Sequence, residues 1–282
     1  MEVGRWKLDC SNEGFMSSIS PVEALALLSA ACAAGMINAV AGGGTLVTFP
    51  VLILFGVPPV IANATSTLSL VMGTAGSLYG FRENIREVRP WFATFIPVSL
   101  LGGFLGSLLL THGKESTFAS LVPYLVLFAT LLFMIQGFMN KRVSRQILSR
   151  ETHEKEEGKR AARGYLVVAM IFQFLVSIYG GYFGAGIGIL MLASFGFLGF
   201  HNIHHMNALK NVVGSLINLV AALWFTANGL INWPIMAIMT VGAITGYYLG
   251  ATYSQKLPQA LVRHLITVIG LTITVVMFWK LH

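Results

Sequence analysis

Ala41-Gly42-Gly43-Gly44-Thr45-Leu46 interrupts an otherwise apolar stretch, and Ala185-Gly186-Ile187-Gly188-Ile189-Leu190 repeats the interruption 144 residues later. Each break is followed about twenty residues on by an Asn-Ala pair, Asn63-Ala64 in the first case and Asn207-Ala208 in the second. The same offset carries Leu46 onto Leu190, Leu54 onto Leu198 and Gly106 onto Gly250. The chain therefore reads as two copies of one unit.

Composition names the solvent of both copies. A chain of 282 residues that is 55% hydrophobic and only 10% charged has too much apolar surface for one soluble core. Charge-free stretches near 24–41, 61–81, 91–111, 118–140, 164–182, 205–227, 233–253 and 264–279 each approach the roughly 20 residues that span a bilayer. In lipid such stretches must be helices, because nothing there can pair with the backbone. Two shorter apolar pieces, 44–57 and 187–200, follow the glycine breaks and measure only about 20 Å as helices. The expectation is an all-α integral membrane protein of two internal repeats, with eight full-length transmembrane helices and two short glycine-interrupted segments.

Charge divides the chain. Residues 1–20 form a polar tail that lacks the compact basic start of a cleaved signal peptide, so the first helix is expected to be retained. Residues 21–140 form the first repeat, 141–163 a linker with eight Lys or Arg against four glutamates, and 164–282 the second repeat. The positive-inside rule makes the linker cytoplasmic, and Arg82, Arg86 and Arg89 put a second loop on the same side. If the short pieces cross the membrane, each unit has five crossings and the second is inverted; if they re-enter, each has four and the units are parallel. Inversion leaves the uncharged 228–232 loop outside and Lys256 with Arg263 inside, so loop charge favours an inverted five-plus-five arrangement.

All eleven Asp and Glu lie at or before Glu157, which leaves the second unit without a carboxylate. Paired-carboxylate catalysis, or an acidic proton relay drawn from both halves, is thereby excluded, and no enzyme activity is expected. Glu23, at the start of the first helix, suits the helix dipole. Cys10 and Cys32 are too few and too far apart for a disulfide framework or a thiol metal site, and no cofactor is expected. The glycine runs lack the Lys-Ser/Thr of a phosphate loop, and the net charge of +7 resides mostly in the linker, so no nucleic-acid partner is expected.

What remains is a set of polar groups beside the breaks. Paired glycine-interrupted segments in two halves point to the midplane site of a secondary transporter. Gly42, Gly43, Gly44, Gly186 and Gly188 would free backbone N–H groups and positive helix ends for an anion, or else let helices pack closely. Asn63, Thr65 and Ser66, with Asn207 and Asn211 in the matching helix, would add donors or bond between helices. Lys210 lies within a span, at a cost of at least about 2.5–3.5 kcal/mol, so it either meets an anionic substrate or snorkels to the interface. His201, His204 and His205 offer a rival reading, a divalent transition-metal permease, or are polar punctuation of a loop.

The motifs together resemble the sulfite exporter TauE/SafE permeases. The stretch from Gly35 to Gly80, with Gly42-Gly43-Gly44-Thr45-Leu46-Val47-Thr48-Phe49-Pro50 and Gly56-Val57-Pro58-Pro59-Val60-Ile61-Ala62-Asn63-Ala64-Thr65-Ser66, is similar to the family's first signature. Gly180-Gly181-Tyr182-Phe183-Gly184-Ala185-Gly186-Ile187-Gly188 with Met206-Asn207-Ala208-Leu209-Lys210-Asn211 is similar to its second. Ile187 replaces a glycine usual there, and Ser194 stands where the first unit has Pro50. The resemblance implies an inner-membrane secondary transporter for small sulfur-containing anions such as sulfite, sulfonates or sulfoacetate. Its expected partners are that anion, the lipid bilayer and a coupling proton or ion.

Overall fold

The computed structural model describes residues 19–40, 42–80, 82–150, 159–197 and 203–253, together with 267, 268, 271, 272, 274, 275 and 279. Lys256 and Arg263, whose side of the membrane separates the two repeat models, lie outside these residues. The described helices are α1 (Pro21–Val40), α2 (Thr45–Leu54), α3 (Pro59–Gly80), α4 (Arg82–Val88), α5 (Phe92–His112), α6 (Glu115–Arg150), α7 (Lys159–Tyr182), α8 (Ile187–Phe197), α9 (Ile203–Ala227) and α10 (Trp233–Tyr253). α6 and α7 both extend into the charged linker, so its two ends are helical and only 151–158 falls outside the description.

Local chemistry sets the helix ends. Ser20 and Glu23 form a reciprocal capping box, with Ser20 N–H donating to Glu23 Oε2 at 2.8 Å and Glu23 N–H to Ser20 Oγ at 3.2 Å. Pro21 occupies the first helical position, where its missing N–H costs nothing. α1 ends at Gly42, a left-handed residue with φ +75° whose N–H reaches back to the Ile37 carbonyl at 3.2 Å. α7 ends the same way at Gly184, with φ +79° and an N–H bond to the Tyr179 carbonyl at 3.1 Å.

Burial departs from that of a soluble protein on both sides of an apolar core. Large apolar side chains point outward, among them Leu101 and Leu109 on α5, Ile171 and Leu175 on α7, and Val241 and Tyr248 on α10. Polar side chains point inward: Asn63, Thr65, Ser66, Thr67 and Ser69 on α3 are all buried. Such a surface suits lipid, where apolar exposure is free and unpaired polar groups are costly. By length and apolarity, Pro21–Ala39, Ile85–His112, Glu115–Leu132 and His205–Ala227 are each sufficient to cross a membrane. α3 is diluted by the polar residues it buries. The short helices α2 and α8 are enclosed by the bundle: Thr45 to Pro50 are buried without a gap, as are Ile187, Ile189, Met191 and Phe195.

Glycines determine which helices touch and in which direction. On α10, Gly242, Gly246 and Gly250 face Leu28, Cys32 and Met36 of α1 in turn, and a β-carbon on Gly246 would collide with the Cys32 carbonyl. The two helices therefore run side by side in one direction, at small-residue packing distance. Gly102 and Gly106 of α5 meet Ser177 and Ile178 of α7 in the same parallel sense. Asn232 N–H donates to Thr65 Oγ1 at 3.0 Å and Ser69 Oγ to the Met236 carbonyl at 3.4 Å, which sets α3 parallel to α10. Gly103 faces Ile217, and Trp224 Nε1 donates to Thr111 Oγ1 at 2.9 Å, which sets α9 parallel to α5.

Two bundles result, α1 with α3 and α10, and α7 with α9 and α5. They run in opposite directions, because α3 leads into α4, whose Glu87 pairs with His205 at the start of α9. Arg86, Arg89 and the start of α7 thus share one end of the molecule; residues 113–114 and 228–232 share the other.

Candidate functional site

The two breaks meet where the bundles touch. A β-carbon on Gly42 would lie 3.2 Å from the Gly188 Cα and 3.9 Å from Lys210 Nζ, so glycine alone lets the end of α1 approach the second break. Lys210 is 3% exposed, and its Nζ has no hydrogen-bond partner among the described residues. Its ammonium turns inward against backbone rather than outward toward an interface, which is not the geometry of a snorkelling lysine. A buried cation without a partner is expensive and calls for an anion.

Four other buried polar atoms also lack partners among the described residues: Asn63 Oδ1, Asn211 Nδ2, Ser194 Oγ and, on α7, Gln173 Oε1. Asn63 is held from the other bundle, its Nδ2 donating to the Tyr182 carbonyl at 3.1 Å. Asn211 is half-buried on α9 beside Lys210, and Asn207 lies one turn earlier, also half-buried. Ser194 sits on α8.

The remaining candidates are engaged otherwise. Asn38 Oδ1 accepts the N–H groups of both Gly43 and Gly44 at 2.7 Å, so the amides expected to stand free at the first break are bonded within it. The left-handed residue of that break is Gly42, not Gly43. Ser66 Oγ shares a hydrogen bond of 2.6 Å with Thr48 Oγ1 and ties α3 to α2, while Thr65 accepts from Asn232. Gly186, with φ +77°, faces Ala129 and Leu132 of α6.

Of the three histidines, only the His205 side chain is among the described residues. His205 is paired with Glu87, a carboxylate 118 residues earlier in the chain; the His204 side chain and all of His201 lie outside the described residues. Among the described residues no group of three His, Cys, Asp or Glu could hold a metal ion.

Two anchors of the breaks went unread in the sequence. Asn38 also lies beside Tyr247 of α10, which sets the first break against its bundle. At the second break the corresponding work falls to Tyr179, whose hydroxyl donates to the Ala185 carbonyl at 2.8 Å. An Asn five residues before Gly43 in an apolar helix was the available signal for Asn38. The 144-residue offset sets Tyr182 opposite it, so pairing the two halves hid it.

A family model described as sulfite exporter TauE/SafE matches residues 27–277. The chain is 30% identical over 251 residues to a probable membrane transporter protein of Haemophilus influenzae, covering 87% of this chain and 91% of that one. It is 25% identical over 276 residues to the probable membrane transporter protein YfcA of Escherichia coli, covering 98% and 96%. A probable membrane transporter protein ORF9 of Sinorhizobium is 23% identical over 258 residues, covering 88% and 90%. No solved structure matches the chain.

Proposed function

The chain belongs to the sulfite exporter TauE/SafE family of membrane transporters, and on that premise we propose that it is a secondary permease for small sulfur-containing anions such as sulfite, sulfonates or sulfoacetate. The observation that carries this reading is the convergence of Gly42, Gly188 and a buried Lys210 ammonium that has no partner among the described residues. The anion's head meets Lys210 and Asn211, with Gly42 and Gly188 allowing it to approach the backbone. The family description supplies the sulfur chemistry, and the buried positive charge supplies the sign.

We further propose that the protein is a multi-pass protein of a bacterial-type inner membrane and that its halves, 21–140 and 164–282, are inverted repeats. Support comes from the bundles: the 144-residue offset carries α1, α3 and α5 onto α7, α9 and α10, and each of these helices runs opposite to its counterpart. Alternating access then consists of one bundle rocking against the other about the breaks.

Two experiments test the reading. Proteoliposomes should accumulate a labelled sulfonate, and comparing uptake with and without a pH gradient identifies a coupling proton; absence of uptake under any gradient defeats the permease assignment. For topology, single cysteines replacing Lys114 or Asn228 in a background without Cys10 and Cys32 should label from outside, and one replacing Arg86 from inside. Lys114 and Asn228 labelling from opposite sides defeats the inverted arrangement.

A further inference from the structure

Among the described residues, the unpartnered buried atoms of α3 and α9 are of both hydrogen-bonding kinds. Lys210 Nζ and Asn211 Nδ2 are donors, whereas Asn63 Oδ1 is an acceptor. Asn63 cannot be turned to remove this mismatch. Its Nδ2 donates to the Tyr182 carbonyl, and exchanging the amide ends would set two oxygens against each other. Asn63 is 1% exposed, so an acceptor left empty there carries the full cost of desolvation.

Position separates the two kinds. Asn63 is bonded at Tyr182, where α7 ends, and Lys210 faces the approach of Gly42 to Gly188, inside the start of α8. A molecule reaching from Gly188 to the Tyr182 end of the break would meet a positive donor at one end and a neutral acceptor at the other. A sulfonate head has only acceptor oxygens. It satisfies Lys210 and Asn211, but turned toward Asn63 it would bring oxygen against oxygen. Charge narrows the choice further, because Lys210 is the only charged residue that is buried among the described residues. A second negative charge on the ligand would find no buried counterpart there.

Resting on the permease reading, we propose that the preferred substrate is a monoanion that brings its own hydrogen-bond donor: a sulfonate whose head sits at Lys210 and Gly188, and whose neighbouring hydroxyl or N–H donates to Asn63 Oδ1. A short hydroxyalkylsulfonate has this pattern. Sulfoacetate, with a second anionic group and no donor, does not.

The test is a matched pair that differs in one hydroxyl, hydroxyethanesulfonate against ethanesulfonate, titrated calorimetrically into the full-length protein in detergent. Hydroxyethanesulfonate should bind tighter by about tenfold or more, because ethanesulfonate leaves a buried acceptor empty. Sulfoacetate should bind more weakly than hydroxyethanesulfonate. In Asn63→Leu the advantage of the hydroxyl should vanish, hydroxyethanesulfonate falling to the level of ethanesulfonate. The wild-type ratio decides the matter even if Asn63→Leu does not fold. Equal affinities in the wild type would overturn the donor requirement while leaving the permease reading standing; a ratio that persists in folded Asn63→Leu would overturn the assignment to Asn63. Failure of every sulfonate to bind would overturn both readings together.

Discussion

The two glycine breaks share a sequence pattern yet are held by different chemistry. At the first, Asn38 takes the N–H groups of Gly43 and Gly44, so the positive end of α2 is filled from within the protein. At the second, Tyr179 holds a carbonyl, that of Ala185, and the nearby charge is the unpartnered Lys210. Even the turns differ in register: Gly42 aligns with Gly186 at the offset of 144, but the residue that ends α7 as Gly42 ends α1 is Gly184, an offset of 142. The two breaks have the interruption of the backbone in common and differ in the chemistry that holds it. The first break is a prop that delivers Gly42 to the interface; the second, in our proposal, is the half that holds the anion.

The comparison can be broken at several points. The largest effect should come from Gly42→Leu, which places a side chain against Gly188 and Lys210 and should abolish transport. Gly56→Leu is its control. Gly56 has nearly the same φ, +77°, but open space around it, so it carries the same backbone strain of about 1–2 kcal/mol and should still transport. If both variants transport equally, the contact between the breaks has no bearing on function.

A smaller effect is expected from the anchors. Asn38→Ala leaves two part-buried amides unpaired and should cost about 1–3 kcal/mol for each, read as a clear fall in Tm. Tyr179→Phe removes one bond to a carbonyl and should cost about 1 kcal/mol. Equal losses would contradict the division of labour between the breaks. Thr65→Val should change least: Thr65 joins α3 to α10 through Asn232, so stability should fall by about 1 kcal/mol with sulfonate affinity unchanged. A loss of affinity larger than the loss of stability would return Thr65 to the binding site.

The helices were legible because lipid demands long apolar runs, and seven of the eight expected stretches fall on described helices. The breaks were legible because glycine at φ near +75° has few substitutes. Lys210 stood out as a charge amid apolar residues. What the sequence concealed were bonds between distant positions. Nothing in Asn38 announces that it faces Gly43 and Gly44, and nothing in Glu87 announces His205, 118 residues away. Thr65 and Ser66 have the composition of ligand donors, and only packing reveals that Asn232 and Thr48 engage them.

The central claim, that Lys210 is the counter-charge of a bound anion, is tested most directly by titrating ethanesulfonate into purified wild-type protein and Lys210→Met. Methionine is cheaper than an ammonium in apolar surroundings, so the variant should fold with equal or higher Tm. We predict saturable binding to the wild type and affinity weaker by at least roughly tenfold in Lys210→Met, the loss expected for one charge-assisted hydrogen bond. Unchanged affinity in a folded Lys210→Met protein would contradict the account.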